Sequence, residues 1–125
     1  MNTQVKALAD LDMTYEQFVE GLFKPMAKRA DELIHAAAGV SGEAGELLDA
    51  VKKHWAYGKD LDVTNVIEEL GDIEFYMQAL RTSLSLTRQE ILEANVEKLL
   101  RRYPAVRYSD AAAIARLDKV KDREL

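Results

Sequence analysis

The chain twice sets acid, apolar, glycine, acid and apolar in a row, as EAGEL at Glu43 to Leu47 and as ELGDI at Glu69 to Ile73. The outer acids of each phrase stand three apart, Glu43 with Glu46 and Glu69 with Asp72, which on a helix puts both on one side. Four carboxylates a few ångströms apart repel by several kcal/mol at intermediate dielectric, so such a quartet must take up protons, recruit cations or bind metal. The chain has no cysteine and no histidine close to either phrase. Oxygen-only ligands favour a hard cation such as Mg²⁺ or Mn²⁺.

That chemistry requires helices, and the composition supplies them. Six glycines, two prolines and few β-branched residues leave little for a sheet, while Ala, Leu, Glu, Lys and Arg suit helices. The chain reads as all-α. A first helix is predicted from the capping box Thr14 to Gln17, ahead of Tyr15, Val19, Leu22 and Met26, with Pro25 kinking or interrupting it. From Asp31 the series Leu33, Ala37, Val40, Ala44, Leu47 and Val51 alternates spacings of four and three, the seam of a second helix running to about Tyr57 and stopped by Gly58. Val66, Leu70, Ile73, Met77, Leu80 and Leu84 give a third seam. A fourth helix opens at the box Thr87 to Glu90 and closes at Pro104, and Ser109 or Asp110 caps a short helix in the tail. Four helices with short loops predict a bundle. With 125 residues this is one domain, residues 1–125, with a core over 14–104 and a tail over 105–125.

At about 100° per residue, Glu43 falls about 60° and Glu46 about 120° from the middle of the second seam, and Glu69 and Asp72 take the same two angles on the third helix. Packed antiparallel, the two helices would bring all four acids to one flank. Glu68 and Asp49 lie nearly opposite their seams and read as solvated surface. Gly45 and Gly71 sit inside the phrases, where alanine would be better by about 1 kcal/mol, and this implies close backbone approach by the partner helix or by a ligand. Gly39 and Gly42 leave the acidic flank bare. On the fourth helix Asn95, Lys98 and Arg102 form a cationic strip with one amide, which Lys53 and Tyr76 could join. Carboxylates for magnesium beside cations for anions are what a magnesium polyphosphate complex requires. Each feature has a plainer rival: acids on a solvated face, Lys98 and Arg102 salt-bridged to Glu97 or Glu93, His35 as a partly buried histidine. Phe75, on the back of the third helix, suggests cover on that side too, as a dimer interface would give.

The stretches GVSGEAGELLDAVKK, IEELGDIEFY and NVEKLLRRYP resemble the MazG-like family of all-α nucleoside triphosphate pyrophosphohydrolases, over about Tyr15 to Pro104. The resemblance rests on E-x-x-E, then E-x-x-D after 22 residues. It departs at Gly42, where many members carry another glutamate. It implies that Glu43, Glu46, Glu69 and Asp72 hold Mg²⁺, that Lys53, Asn95, Lys98 and Arg102 contact phosphates, and that the chain forms homodimers or paired dimers, hence tetramers. The implied reaction converts a nucleoside or deoxynucleoside triphosphate to monophosphate and pyrophosphate. Glu46 is assigned as general base, with nothing in the spacing to prefer it over its three neighbours. For discrimination among bases His35, Trp55, Tyr57 and Phe23 are the candidates.

The nearest alternative enzyme is one like phosphoribosyl-ATP pyrophosphohydrolase, which uses a related helical fold and reaction. Another is a non-catalytic, cation-binding helical oligomer. A di-iron carboxylate bundle is excluded, since neither His35 nor His54 stands three after a glutamate. A net charge of −5 argues against general nucleic-acid binding. No apolar run approaches the roughly 20 residues that span a bilayer. With no cysteine and no targeting segment, a cytoplasmic setting is expected.

Overall fold

The computed structural model describes residues 5–119. Among these the chain is all-α, with helices α1 (Lys6–Asp10), α2 (Tyr15–Leu22), α3 (Arg29–Tyr57), α4 (Val63–Ser83), α5 (Arg88–Arg102) and α6 (Asp110–Ala115), then a 3-10 turn at Leu117–Lys119. It divides into two compact units at Ser85: the first holds α1 to α4, the second α5, α6 and the 3-10 turn.

Local chemistry explains the boundaries. Thr14 Oγ1 accepts from the Gln17 amide at 3.1 Å and Gln17 Oε1 accepts from the Thr14 amide at 2.9 Å, so two orphan donors of α2 are satisfied at once. The helix ends at Leu22 and none resumes before Arg29, because Pro25 lacks a donor and disfavours a helical residue before it. Gly58 adopts φ 62°, the left-handed stop of α3. Asp62 Oδ1 accepts from the Asn65 amide at 3.1 Å and starts α4. Thr87 and Glu90 repeat the capping box for α5, and Ser109 Oγ accepts from the Ala112 amide at 3.1 Å to start α6. Neither α1 nor the Asp62 cap was expected from the sequence.

The first unit is an antiparallel hairpin of α3 and α4 with α2 laid on one end. Ser83 Oγ donates to Glu32 Oε2 at 3.3 Å, and the Tyr76 ring covers Gly39. The numbers of each facing pair add to the same value, so the register stays constant along the contact. Val19, wholly buried, packs on Ala36 and Ala79, with Tyr15, Phe23, Phe75 and Leu80 around them. Beside this core, Arg81 is buried with its Nε and Nη2 donating to Gln78 Oε1 at 3.2 and 2.7 Å, and Glu74 lies 3.9 Å from its Nη2. A buried guanidinium requires such partners.

The expected seams are rotated. On α3, Ala37, Ala44 and Val51 are exposed, while Ala36 and Ala50 are buried and Leu33, Val40 and Leu47 half-buried. On α4, Leu70 and Met77 are exposed. The run Ala36–Ala37–Ala38 offers equal small residues in adjacent places, so the larger groups opposite, Val19 and Tyr76, decide which one turns inward. Phe75 is covered by α2 of its own chain.

Gly39 and Gly45 are opposite cases. A Cβ on Gly39 would meet the Tyr76 ring, whereas one on Gly45 would meet open space. Gly39→Ala should therefore lower stability by about 1–3 kcal/mol, and Gly45→Ala should raise it by about 0.5–1 kcal/mol. Urea denaturation of the two variants reads the difference in sign.

Candidate metal centre

The constant register sets Glu43 of α3 opposite Asp72 of α4, with Glu69 one turn before it. One carboxylate oxygen from each of Glu43, Glu69 and Asp72 lies within 4.8 Å of the others; Glu43 and Glu69 are half-buried and Asp72 is exposed. The rotated seam explains the depth of Glu43, which lies in the contact between the helices rather than on its flank.

The trio is electrostatically loaded. The Glu69 carboxyl is pushed above the usual glutamate range, first by partial burial, then by a hydrogen bond with Glu43, then by the negative charges of Glu43, Glu46 and Asp72. Either a proton on Glu69 or, more completely, a divalent cation would relieve the repulsion. The donors fit such an ion: all are oxygens, and metal bonds of about 2.1 Å put ligand oxygens about 3–4 Å apart, within reach of a small closing movement. Glu46 lies one turn beyond Glu43, exposed and outside the trio, with its charge still felt at Glu69. Glu68 and Asp49 are exposed and also outside it.

The glycines of the two phrases, and Gly42 just before the first, do not serve helix contact. A Cβ on Gly42, Gly45 or Gly71 would meet nothing within 4 Å, so the expected close approach by the partner helix does not occur there. These residues instead remove bulk beside the acids. Tyr76, one turn beyond Asp72, packs on Gly39, and His35 stands between rings, 5.0 Å from Phe23 and 6.1 Å from Tyr76 by centroid. A cavity of about 490 Å³ lies at the end of α2, lined by Phe23, Met26, Arg29, Glu32 and Ser83 among others. Glu32 is eleven residues before Glu43, about 16 Å along the helix, so the trio sits on open surface outside this cavity.

The other candidates are dispersed. Lys53 is exposed on α3 two turns beyond Glu46, and Trp55 and Tyr57 are exposed near the end of α3, Trp55 to 83%. Asn95, Lys98 and Arg102 belong to α5 in the second unit, where Asn95 is exposed and Lys98 and Arg102 are half-buried. The guanidinium of Arg102 is engaged bidentately by Asp118, at 3.0 and 3.1 Å. Asp118 escaped sequence reasoning because an acid in a charged tail gives no signal of burial. No helix among the described residues is long and apolar enough to cross a membrane.

The fold is thus an all-α helical hairpin that gathers carboxylates from both arms onto one open face. The MazG nucleotide pyrophosphohydrolase domain matches residues 32–107, more than half of the chain, and the chain belongs to that family. The match takes in nearly all of the α3–α4 hairpin and all of α5. Members typically use divalent cations, in keeping with the acidic trio. Neither a curated protein nor a solved structure matches the chain.

Because Glu69 titrates above its ordinary value, the stability contributed by its protonation is complete below the unfolded value of about 4.3 and is lost as pH rises through the raised folded value. Without divalent cation the melting temperature should decline across that window. With Mg²⁺ the decline should vanish, and Mg²⁺ affinity should strengthen with pH across the same window. Thermal scans and calorimetry over pH test this; flat profiles in both would show that the acids do not interact.

Proposed function

We propose that the protein hydrolyses a nucleoside or deoxynucleoside triphosphate to the monophosphate and pyrophosphate in the presence of Mg²⁺. One observation carries this reading: the convergence of Glu43, Glu69 and Asp72 from two helices inside the span matched by the pyrophosphohydrolase domain. When bound, Mg²⁺ supplies charge neutralisation on the phosphate oxygens and lowers the pKa of water. Glu43, Glu69 and Asp72 would hold the ion. Glu46, outside the trio yet one turn from it, is the carboxylate free to take the proton of the attacking water, so the structure offers a reason to prefer it as base. Lys53, Asn95, Lys98 and Arg102 are the groups for the phosphates, with Lys98 and Arg102 on the departing pyrophosphate. Tyr76 and His35, which pack together on the hairpin, are the remaining groups for the substrate. The absence of cysteine suits a cytoplasmic setting.

The proposed working form is a homodimer or a pair of dimers. Few apolar side chains are buried among the described residues, whereas Ile34, Leu48 and Trp55 on α3 and Val63, Ile67 and Leu70 on α4 are each at least half exposed. Apolar residues in such number on two adjacent helices are the surface that a second copy would cover.

Incubation with each canonical and modified triphosphate plus Mg²⁺ tests the reaction. Monophosphate with pyrophosphate is the expected product pair; diphosphate with orthophosphate contradicts it. Turnover confined to phosphoribosyl-ATP would select the neighbouring enzyme class, and stabilisation by Mg²⁺ without any turnover would leave a cation-binding oligomer. Glu69→Gln should cut turnover by at least about 100-fold and weaken metal binding, while Glu68→Gln should leave both nearly unchanged. Equal losses would mean that neither side chain is selected by the helix phase. Sedimentation should give a multiple of the 14.1 kDa chain mass, and Ile67→Lys with Leu48→Glu should return it to a single chain.

A further inference from the structure

Asp118 stands in a strongly charged segment yet is only 7% exposed. It takes the whole fork of Arg102: Nε donates to Oδ1 at 3.0 Å and Nη2 to Oδ2 at 3.1 Å. Arg116 brings a second cation, its Nε 3.5 Å from the same Oδ1 and buried without a hydrogen-bond partner of its own. Arg116 is also the left-handed residue, φ 48°, that ends α6. The segment from Ser109 to Lys119 is thus folded onto α5 around one carboxylate. The family match stops at residue 107, so this segment lies outside the part of the chain that the family defines.

A bidentate carboxylate occupies the two guanidinium donors that a pair of phosphate oxygens would take, in the same plane. Its negative charge also repels an approaching polyphosphate. We propose that Asp118 is an internal competitor for phosphate at Arg102, so that segment 109–119 is a latch, closed on Arg102 in the free protein and released when a pyrophosphate group takes the guanidinium. The inference rests on the reading of Arg102 as a phosphate contact. It adds regulation to that site: occupancy of Arg102 by substrate or product is coupled to the opening of a segment outside the family's core.

Inorganic pyrophosphate with Mg²⁺, added to the full chain, tests the latch without requiring turnover. Trypsin should cut after Arg116 several-fold faster when magnesium pyrophosphate is present, with cleavage in the α3–α4 hairpin as internal reference. In calorimetry Asp118→Asn should bind magnesium pyrophosphate several-fold more tightly than the parent protein, and Asp118→Glu, which keeps the carboxylate, should stay near the parent. Unchanged or slower cleavage after Arg116, or equal or weaker binding by the asparagine variant, overturns the latch and leaves Arg102–Asp118 as a structural tie. The cleavage readout uses the parent protein, so a poorly folded variant does not blunt it. Triphosphate turnover with unchanged cleavage defeats the latch alone; a latch that opens in a protein hydrolysing no triphosphate defeats the proposed reaction alone.

Discussion

The register between α3 and α4 is the constraint on which the candidate site depends. It is pegged at one end by Ser83 on Glu32 and by the Tyr76 ring on Gly39, and at the other by the short connection from Gly58 to Asp62. The acids lie between these pegs. A slip of one residue would turn each side chain by about 100° and carry Glu69 and Asp72 away from Glu43. The apolar and small contacts along the hairpin therefore hold together three carboxylates that would otherwise separate. Partial burial, the hydrogen bond with Glu43 and then the neighbouring negative charges push the Glu69 carboxyl up, and a divalent cation would offset those charges.

Much of this was legible in the sequence because local chemistry had one answer. Thr14 with Gln17 and Thr87 with Glu90 could satisfy their helix ends in only one way, and both capping boxes formed. Gly58 and Pro25 likewise marked breaks that only those residues favour. The doubled phrase gave the acids because a spacing of three keeps its meaning on any helix. The seam phase failed for the opposite reason. Alanines 36, 37, 38 and 44 carry too little apolar weight to decide among themselves, and the choice fell to Val19 and Tyr76, which are distant in sequence. The same long-range dependence hid the cover of Phe75 by α2 and the pairing of Arg102 with Asp118. An acid 16 residues away across a break in the helix gives no periodicity to read.

The glycines illustrate how one residue type can answer two demands. Gly39 admits a ring and so belongs to folding; Gly42, Gly45 and Gly71 admit nothing and so cost helix stability without any packing return inside the chain. A sequence shaped only for stability would place alanine there. Open space beside a loaded acidic trio has a use only if something other than this chain's own helices enters it, and a polyphosphate carried by its cation has both the charge and the size to do so.

The position of the trio along the hairpin gives this argument its direction. α2 covers the stretch around Ala36 and Ala79 through Val19, with Tyr15 and Phe23 beside them. Beyond the acids, toward the loop, Leu48, Trp55, Tyr57, Val63 and Ile67 are exposed. The trio therefore lies between the α2-covered core and these exposed apolar side chains. Under the proposed assembly, a second copy seated on the exposed apolar residues would remove water from the acids, strengthening every charge interaction there. Coverage of the apolar surface and completion of the cation site would then be a single event.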